Sequence, residues 1–279
     1  MKQTIIQSPA KINLTLSVLG KKNNFHLLNS LAVFGVIEDQ LLIQESNDWQ
    51  INVVGNYAHL ITGENILYKL FQLALNKQKN LPPLKIVIEK NIPVGGGLGG
   101  GSANAAAVAR YLNDNYQLEF SSDELATIGA DVPICYQNKP VIFSGIGEKI
   151  EHFITLPKLY IQIVNPNKTL LTKDVFDKIN PEDFYQGEIK YQTHYNNLES
   201  LVADLQKYGN NLIKAANNCL PAVGELINWL NLQPGCMYAS MSGTGASCFA
   251  IFNNKENLVG SNLKFIKSFP YYLNKIGEI

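Results

Sequence analysis

Ile12 to Leu19 alternates apolar and polar residues with a period of two, the pattern of a half-buried strand. Residues 32–45 and 50–55 add further β-like runs. Between Glu64 and Asn80 the period changes, and Leu67, Leu70, Phe71, Ala74 and Leu75 fall on one helical face. Leu84 to Glu89 reads as a strand again. An alanine-rich segment follows, in which Ala103, Ala106, Ala107, Arg110 and Tyr111 have helical spacing up to about Leu112. Lys139–Ser144 and Tyr160–Val164 are strand candidates. Residues 177–197 are polar and loop-like. Helical patterns then cover Leu198–Tyr208, Asn211–Cys219 and Ala222–Leu230, before the apolar run Phe249–Phe252. Strands and helices mix without strict alternation, which predicts an α+β fold instead of a doubly wound sheet. The 279 residues suffice for two lobes, and the pattern divides them into residues 1–157 and 158–279.

The segment between the strand at 84–89 and the alanine-rich helix is Pro93-Val94-Gly95-Gly96-Gly97-Leu98-Gly99-Gly100-Gly101-Ser102-Ala103. A glycine-rich turn that opens a helix exposes several backbone N–H groups at the positive end of the helix dipole, which suits a phosphate. Glycine permits close approach of the backbone and positive φ. A flexible linker is the alternative, but linkers are seldom wedged between a strand and a helix. No Gly-Lys-Ser/Thr follows, so this is not a Walker A loop. Gly95, Gly97 and Gly100 form a G-x-G-x-x-G, yet no second strand ending in an acidic residue lies about 20 residues on, as a dinucleotide fold requires.

Composition narrows the chemistry. Hydrophobic residues make up 46% and charged residues 16%, enough apolar material for a large core. The net charge is +0 with no basic stripe, so nucleic acid is a poor partner. Arg110 is the only arginine, so a bound triphosphate would be neutralised by backbone N–H groups, lysines and a metal. Cys135, Cys219, Cys236 and Cys248 have no C-x-x-C spacing, and the histidines at 26, 59, 152 and 194 have no metal-ligand spacing. Scattered thiols suit a reducing cytoplasm. Neither a signal-peptide core nor a run of 18 apolar residues is present, so no membrane association is expected.

Three motifs occur in order: Ser8-Pro9-Ala10-Lys11-Ile12-Asn13-Leu14, the glycine turn, and Met241-Ser242-Gly243-Thr244-Gly245-Ala246-Ser247. Together they resemble the GHMP kinase superfamily. In the central motif Gly100 and Gly101 replace the first two serines of that superfamily's pattern, and Ser102 keeps the third. Gly99–Ser102, Gly129-Ala130-Asp131-Val132-Pro133, Phe25-His26, Gly145-Ile146-Gly147-Glu148 and Asn196-Asn197-Leu198-Glu199 narrow the resemblance to the 4-diphosphocytidyl-2-C-methyl-D-erythritol kinase family of non-mevalonate isoprenoid precursor biosynthesis. Phe25 stands where that family usually has tyrosine, and the segment from Glu124 to Gly129 is a few residues short, which implies a shortened helix before Asp131.

The resemblance implies a two-lobed α+β kinase with ATP and substrate in the inter-lobe cleft. It transfers the γ-phosphoryl group of ATP to the 2-hydroxyl of the cytidine-diphosphate-linked methylerythritol. It implies Lys11 and Asp131 as the catalytic pair, Pro93 to Ala103 as the phosphate cradle, and Asn65 on the adenine side. Asn13, Phe25, His26, Thr172 and Phe176 are then the substrate contacts.

Elementary chemistry is compatible with these roles. A carboxylate can accept the hydroxyl proton, and a nearby lysine favours its ionised form. Lys11 is alternatively a snorkelling surface lysine, and Asp131 a helix or turn cap before Pro133. Ser102 suits both a helix N-cap and a ligand for magnesium, Mg2+. Phe25 and Phe176 are core aromatics or base-stacking rings; the polar run Lys21–Asn24 before Phe25 favours stacking. Another GHMP kinase, a non-catalytic metabolite sensor on the same fold and, distantly, an NAD-binding oxidoreductase are the rival readings.

Overall fold

The computed structural model describes residues 3–23 and 25–279. Asn24, part of the polar run before Phe25, lies outside the described residues. In chain order the elements begin with strands β1 (Gln3–Asn13), β2 (Ser17–Lys22), β3 (Phe25–Glu45) and β4 (Gln50–Val54), then α1 (Leu67–Lys77) and β5 (Leu84–Glu89). Helices α2 (Gly100–Tyr116), α3 (Ser122–Ile128) and α4 (Val132–Gln137) precede β6 (Val141–Gly145), β7 (Lys149–Phe153) and β8 (Tyr160–Asn165). The remainder comprises α5 (Thr172–Phe176), α6 (Leu198–Tyr208), α7 (Ile213–Cys219), α8 (Ala222–Asn231), β9 (Cys236–Met241), β10 (Cys248–Phe252), α9 (Lys255–Ser268) and β11 (Leu273–Glu278).

These elements form two compact units, each discontinuous in sequence. The first contains the chain up to Ala10, Ile37–Val94 and Gly99–Asn138. The second contains Lys11–Val36, Gly95–Leu98 and Lys139–Ile279. The strand β3 contributes its first part to the second unit and its last part to the first.

In the first unit β4 pairs with β5 in parallel, and β5 pairs with residues 40–45 of β3 in antiparallel fashion. Leu84, Ile86 and Ile88 alternate into the core, as do Leu41 and Ile43. Helix α1 buries Leu67, Leu70, Phe71 and Ala74, the face that the period predicted. Helix α2 is longer than the alanine run suggested. It begins at Gly100 and ends at Tyr116, where the left-handed backbone of Gln117 (φ 57°) caps it. Helix α3 starts with a capping box between Ser121 and Glu124, and the single arginine, Arg110, donates to the carbonyls of Cys135 and Tyr136 at the end of α4.

In the second unit β11, β8, β10 and β9 form an antiparallel sheet in that order. Residues 25–32 of β3 pair antiparallel with β2 and β6, and β6 with β7. The core gathers Val164, Leu212, Leu226, Leu230, Met241, Phe252 and Phe265.

One expected element differs. Ile12 to Leu19 is not a single strand, because the chain bends between β1 and β2. Leu14 and Thr15 both direct their N–H groups to the Leu31 carbonyl, and Leu16 instead donates to Gly209 and bridges to Asn210. Every residue from Ile12 to Val18 is buried, the polar Asn13, Thr15 and Ser17 included, so the apolar–polar alternation does not mark a solvent face and cannot reveal the bend. Helix α9 and strand β11 are not marked by the hydrophobic pattern: the buried face of α9 is only Leu258, Ser261 and Phe265, and one of these three is polar.

Phe252 is fully buried in this second core. Phe252→Ala is expected to cost about 3–5 kcal/mol, from lost transfer energy plus the cavity. Urea unfolding followed by circular dichroism measures it; a loss below about 1 kcal/mol would contradict the packing described.

Candidate active site

In the first unit, Asn65, the start of α2 and the Gly129–Asp131 segment are neighbours. The side-chain oxygen of Asn65 accepts from Leu67 N–H at 3.0 Å, and its carbonyl accepts from Tyr68 N–H at 3.0 Å, so Asn65 holds the start of α1 and keeps its NH2 group for another acceptor. The adjoining Ile66 side chain lies 4.0 Å from where a Cβ on Gly101 would stand, and 3.4 Å from one on Gly129. That same Gly129 position is 3.8 Å from the Ser102 hydroxyl.

Helix α2 is capped by Gly99, whose φ of 62° is left-handed, and Ser102 is its third residue. The N-cap reading of Ser102 is therefore corrected: glycine takes the cap because the turn enters the helix through a positive φ that disfavours serine. Asp131 occupies the N-cap position of α4, but its side chain makes no capping hydrogen bond. Its carbonyl accepts from Cys135 N–H at 3.0 Å instead.

Sequence reasoning missed a buried ion pair beneath this region. The Lys90 ammonium donates to Asp39, which is fully buried, and the other Asp39 oxygen accepts from Asn91 N–H at 2.7 Å and Ile92 N–H at 2.8 Å. A Cβ on Gly100 would stand 2.7 Å from the Lys90 nitrogen. Burial lowers the Lys90 pKa, while the charge and hydrogen bond of Asp39 oppose that shift. Nothing in the sequence marks these two residues, 51 positions apart, as partners.

In the second unit, Lys11 lies near the end of strand β1 and is only 4% exposed, so it is not a snorkelling surface lysine. Its ammonium lies 5.3 Å from the Phe143 ring centre, and its backbone N–H donates to Leu98 at 3.0 Å. Asn13, two residues on, is buried and donates from its side chain to the Ser30 hydroxyl at 2.7 Å.

The carbonyls of Gly95, Gly96, Gly97 and Leu98 are each held from within this unit. They accept from Leu170 N–H at 3.3 Å, Ser247 N–H at 3.0 Å, the Ser242 hydroxyl at 2.9 Å and Lys11 N–H at 3.0 Å. The N–H groups of the same four residues have no acceptor among the described residues. Successive backbone N–H groups of this kind can form a concavity suited to an anion. Gly97 and Gly243 stand back to back. A Cβ on Gly97 would lie 2.2 Å from the Ser242 carbonyl oxygen, and one on Gly243 would lie 2.9 Å from the Gly97 oxygen. At these two positions glycine is required by the close packing of one turn against the other.

The remaining predicted residues also lie in the second unit. Phe25 is 59% exposed at the start of β3. The His26 ring stacks on Phe176 with centres 4.5 Å apart and planes 18° apart, and meets Phe184 edge-on at 6.3 Å. Phe184 had not been anticipated, since it lies in a polar stretch without periodicity. His26 Nε2 is buried without a hydrogen-bond partner among the described residues. Burial and then Lys21 lower the His26 pKa, against a smaller opposing effect of Asp177. The Thr172 and Thr244 hydroxyls are 3.1 Å apart, linking α5 to the second glycine turn. Among the described residues, no group of three or more His, Cys, Asp or Glu side chains is placed to hold a metal ion, and no helix is long and apolar enough to cross a membrane.

The fold and these two glycine turns define a GHMP kinase. The family description GHMP kinases N terminal domain matches residues 65–145, and GHMP kinases C terminal matches residues 191–260. Among curated relatives, a 4-diphosphocytidyl-2-C-methyl-D-erythritol kinase of Chelativorans sp. is 36% identical over 88% of this chain and 85% of its own length. One of Parvibaculum lavamentivorans is 34% identical over 88% of each. A crystal structure of 4-(cytidine 5'-diphospho)-2C-methyl-D-erythritol kinase superposes with a TM-score of 0.79 at 25% identity, covering 98% of both chains. Homoserine kinase from Cytophaga hutchinsonii shares the fold, with a TM-score of 0.63 at 14% identity. The chain belongs to the 4-diphosphocytidyl-2-C-methyl-D-erythritol kinase family, and it is a kinase.

Two measurements test this geometry. Gly97→Ala forces a methyl group against the Ser242 carbonyl and is expected to cost about 1–3 kcal/mol, whereas Gly101→Ala, on an open helix face, should be neutral or stabilising. Equal thermal midpoints for the two variants in scanning calorimetry would contradict the back-to-back packing. The His26 imidazole should titrate by NMR with a midpoint below 6.5. Because the folded value is the lower one, the unfolded chain binds the proton first. The stabilising contribution is complete above pH about 6.5 and is lost as pH falls from there through the folded midpoint. A midpoint above 6.5 would contradict the described burial.

Proposed function

We propose that the chain transfers the γ-phosphoryl group of ATP to the 2-hydroxyl of 4-diphosphocytidyl-2-C-methyl-D-erythritol, giving the 2-phosphate and ADP in non-mevalonate isoprenoid precursor biosynthesis. The observation that carries this reading is the glycine turn Gly95–Leu98, whose four carbonyls are each held while its N–H groups have no acceptor among the described residues. Phosphoryl transfer demands positioning and charge neutralisation more than covalent help, and backbone N–H groups supply both. The only arginine is committed to the end of α4, which is consistent with a cradle built from backbone. The lobe boundary between residues 157 and 158 belongs to this reading and is supported by its position between the two family matches.

In this proposal Asp131 accepts the proton of the attacking hydroxyl. Support comes from its being a carboxylate at the N-cap position of α4, in the same unit as the start of α2 and Ser102. Lys11 stabilises the attacking oxygen, supported by its burial. Asn65 offers its NH2 group to the adenine side. Asn13, Phe25, His26, Thr172 and Phe176 receive the cytidyl substrate. The exposed Phe25 ring supplies a face for the base, and the unpartnered His26 nitrogen supplies an edge contact. Because burial keeps His26 neutral near pH 7, it can both donate and accept.

The residues fit magnesium only in part. Ser102 offers one hard oxygen at the start of α2, and no carboxylate cage exists among the described residues, so ATP oxygens would complete the shell. When bound, the ion neutralises the phosphate oxygens. We place the enzyme in the cytoplasm, a reading that rests on the scattered cysteines.

An ADP-release assay with the cytidyl substrate, against homoserine, mevalonate and galactose, tests the function; turnover of a control instead would overturn it. In the same assay Asp131→Asn should fold normally and lower kcat by about 10²–10⁴-fold, with a smaller change in substrate KM. A loss below about fivefold would remove the general-base role from Asp131.

A further inference from the structure

The four carbonyls of Gly95–Leu98 are not held alike. Three accept from backbone N–H groups, of Leu170, Ser247 and Lys11. The Gly97 carbonyl alone accepts from a side chain, the Ser242 hydroxyl. That hydroxyl in turn accepts from Asn13 N–H at 3.0 Å. Ser242 is fully buried, so water cannot replace either bond. A hydroxyl has one proton, and here it is directed to Gly97 by the Asn13 donor on the other side. One oxygen atom therefore joins the end of β1, two residues after Lys11, to the middle of the glycine turn.

Its own position is fixed. Ser242 N–H donates to the Ser247 carbonyl at 3.0 Å, and Gly245 N–H donates to the Ser242 carbonyl at 3.0 Å. The Asn210 side chain, itself buried, donates to the carbonyls of Met241 and Gly243, each at 2.9 Å, and accepts from Leu212 N–H at 3.0 Å.

We propose that Ser242 is a positioning residue for the phosphoryl transfer. It orients the Gly97–Leu98 peptide so that its N–H faces the nucleotide, and it sets Asn13 in register with that peptide. The inference rests on the kinase reading given above. Without the hydroxyl the Gly97 carbonyl has no partner on that side, and the peptide is free to rotate its N–H out of the row. The same loss frees the backbone of Asn13, so nucleotide and acceptor substrate are affected together, although Ser242 touches neither.

The test uses the full chain and three proteins: wild type, Ser242→Ala and Ser242→Thr. ADP affinity is measured by calorimetry, and kcat and both KM values by ADP release. Ser242→Ala is expected to weaken ADP binding by roughly tenfold and to raise both KM values in the folded protein, with the thermal midpoint lowered as well because two buried groups lose their partner. Ser242→Thr, which keeps the hydroxyl, should return ADP affinity to within about twofold of wild type. Unchanged ADP affinity in Ser242→Ala overturns the inference. So does a variant that loses stability and active fraction while both KM values hold, since that is the behaviour of a purely structural contact. A Ser242→Thr variant as stable as wild type but as weak as Ser242→Ala overturns it too. Wild-type protein that fails to bind ADP would overturn the kinase reading itself, and that result is distinct from any difference among the variants.

Discussion

The constraint on which the second unit's chemistry depends is the fate of four consecutive carbonyl groups. A turn of glycines has no side chains to hold it, and its backbone entropy favours many shapes. Gly95 to Leu98 keep one shape because each carbonyl has its own donor, drawn from α5's approach, the second glycine turn and β1. Fixing the carbonyls on one side fixes the amides on the other. Preorganised N–H dipoles need no rearrangement when charge arrives, which is the main way a protein stabilises a transferring phosphoryl group.

The first unit solves a related problem by different means. There the chain leaves β5 and must reach α2 in a set orientation. Asp39, buried on β3, accepts from the ammonium of Lys90 and the N–H groups of Asn91 and Ile92. Burying such a pair carries a desolvation penalty, so its return is geometric more than energetic. It holds the three residues before Pro93, and it puts a lysine against Gly100, where any side chain would collide.

Glycine also has two separate reasons in this protein. At Gly99 it is conformation: φ is 62°, at the cap of α2. At Gly97 it is conformation and space together, with φ of 73° and the Ser242 carbonyl occupying the place of a side chain. Gly101 meets neither demand, lying on an open helix face. A motif of six glycines is therefore not uniform in what it requires of each position.

Much was legible in the sequence because it is local. The α1 face, the β5 alternation and the strand–turn–helix order around the glycines depend on neighbours within a few residues, and all are present. The three motifs and the family they resemble were likewise readable in chain order. Tertiary structure decided what depends on distant partners. The bend that splits Ile12–Leu19 is made by Leu31 and Gly209. The cap of α2 fell to Gly99 instead of Ser102 because of the path by which the chain enters the helix. The stacking of His26 on Phe176, the Asp39–Lys90 pair and the Ser242 link join residues 51 to 229 positions apart. Periodicity reports which side of an element is buried, but not which atom of which distant residue lies against it. Hydrogen bonds are directional and short-ranged, so only the folded chain selects those atoms.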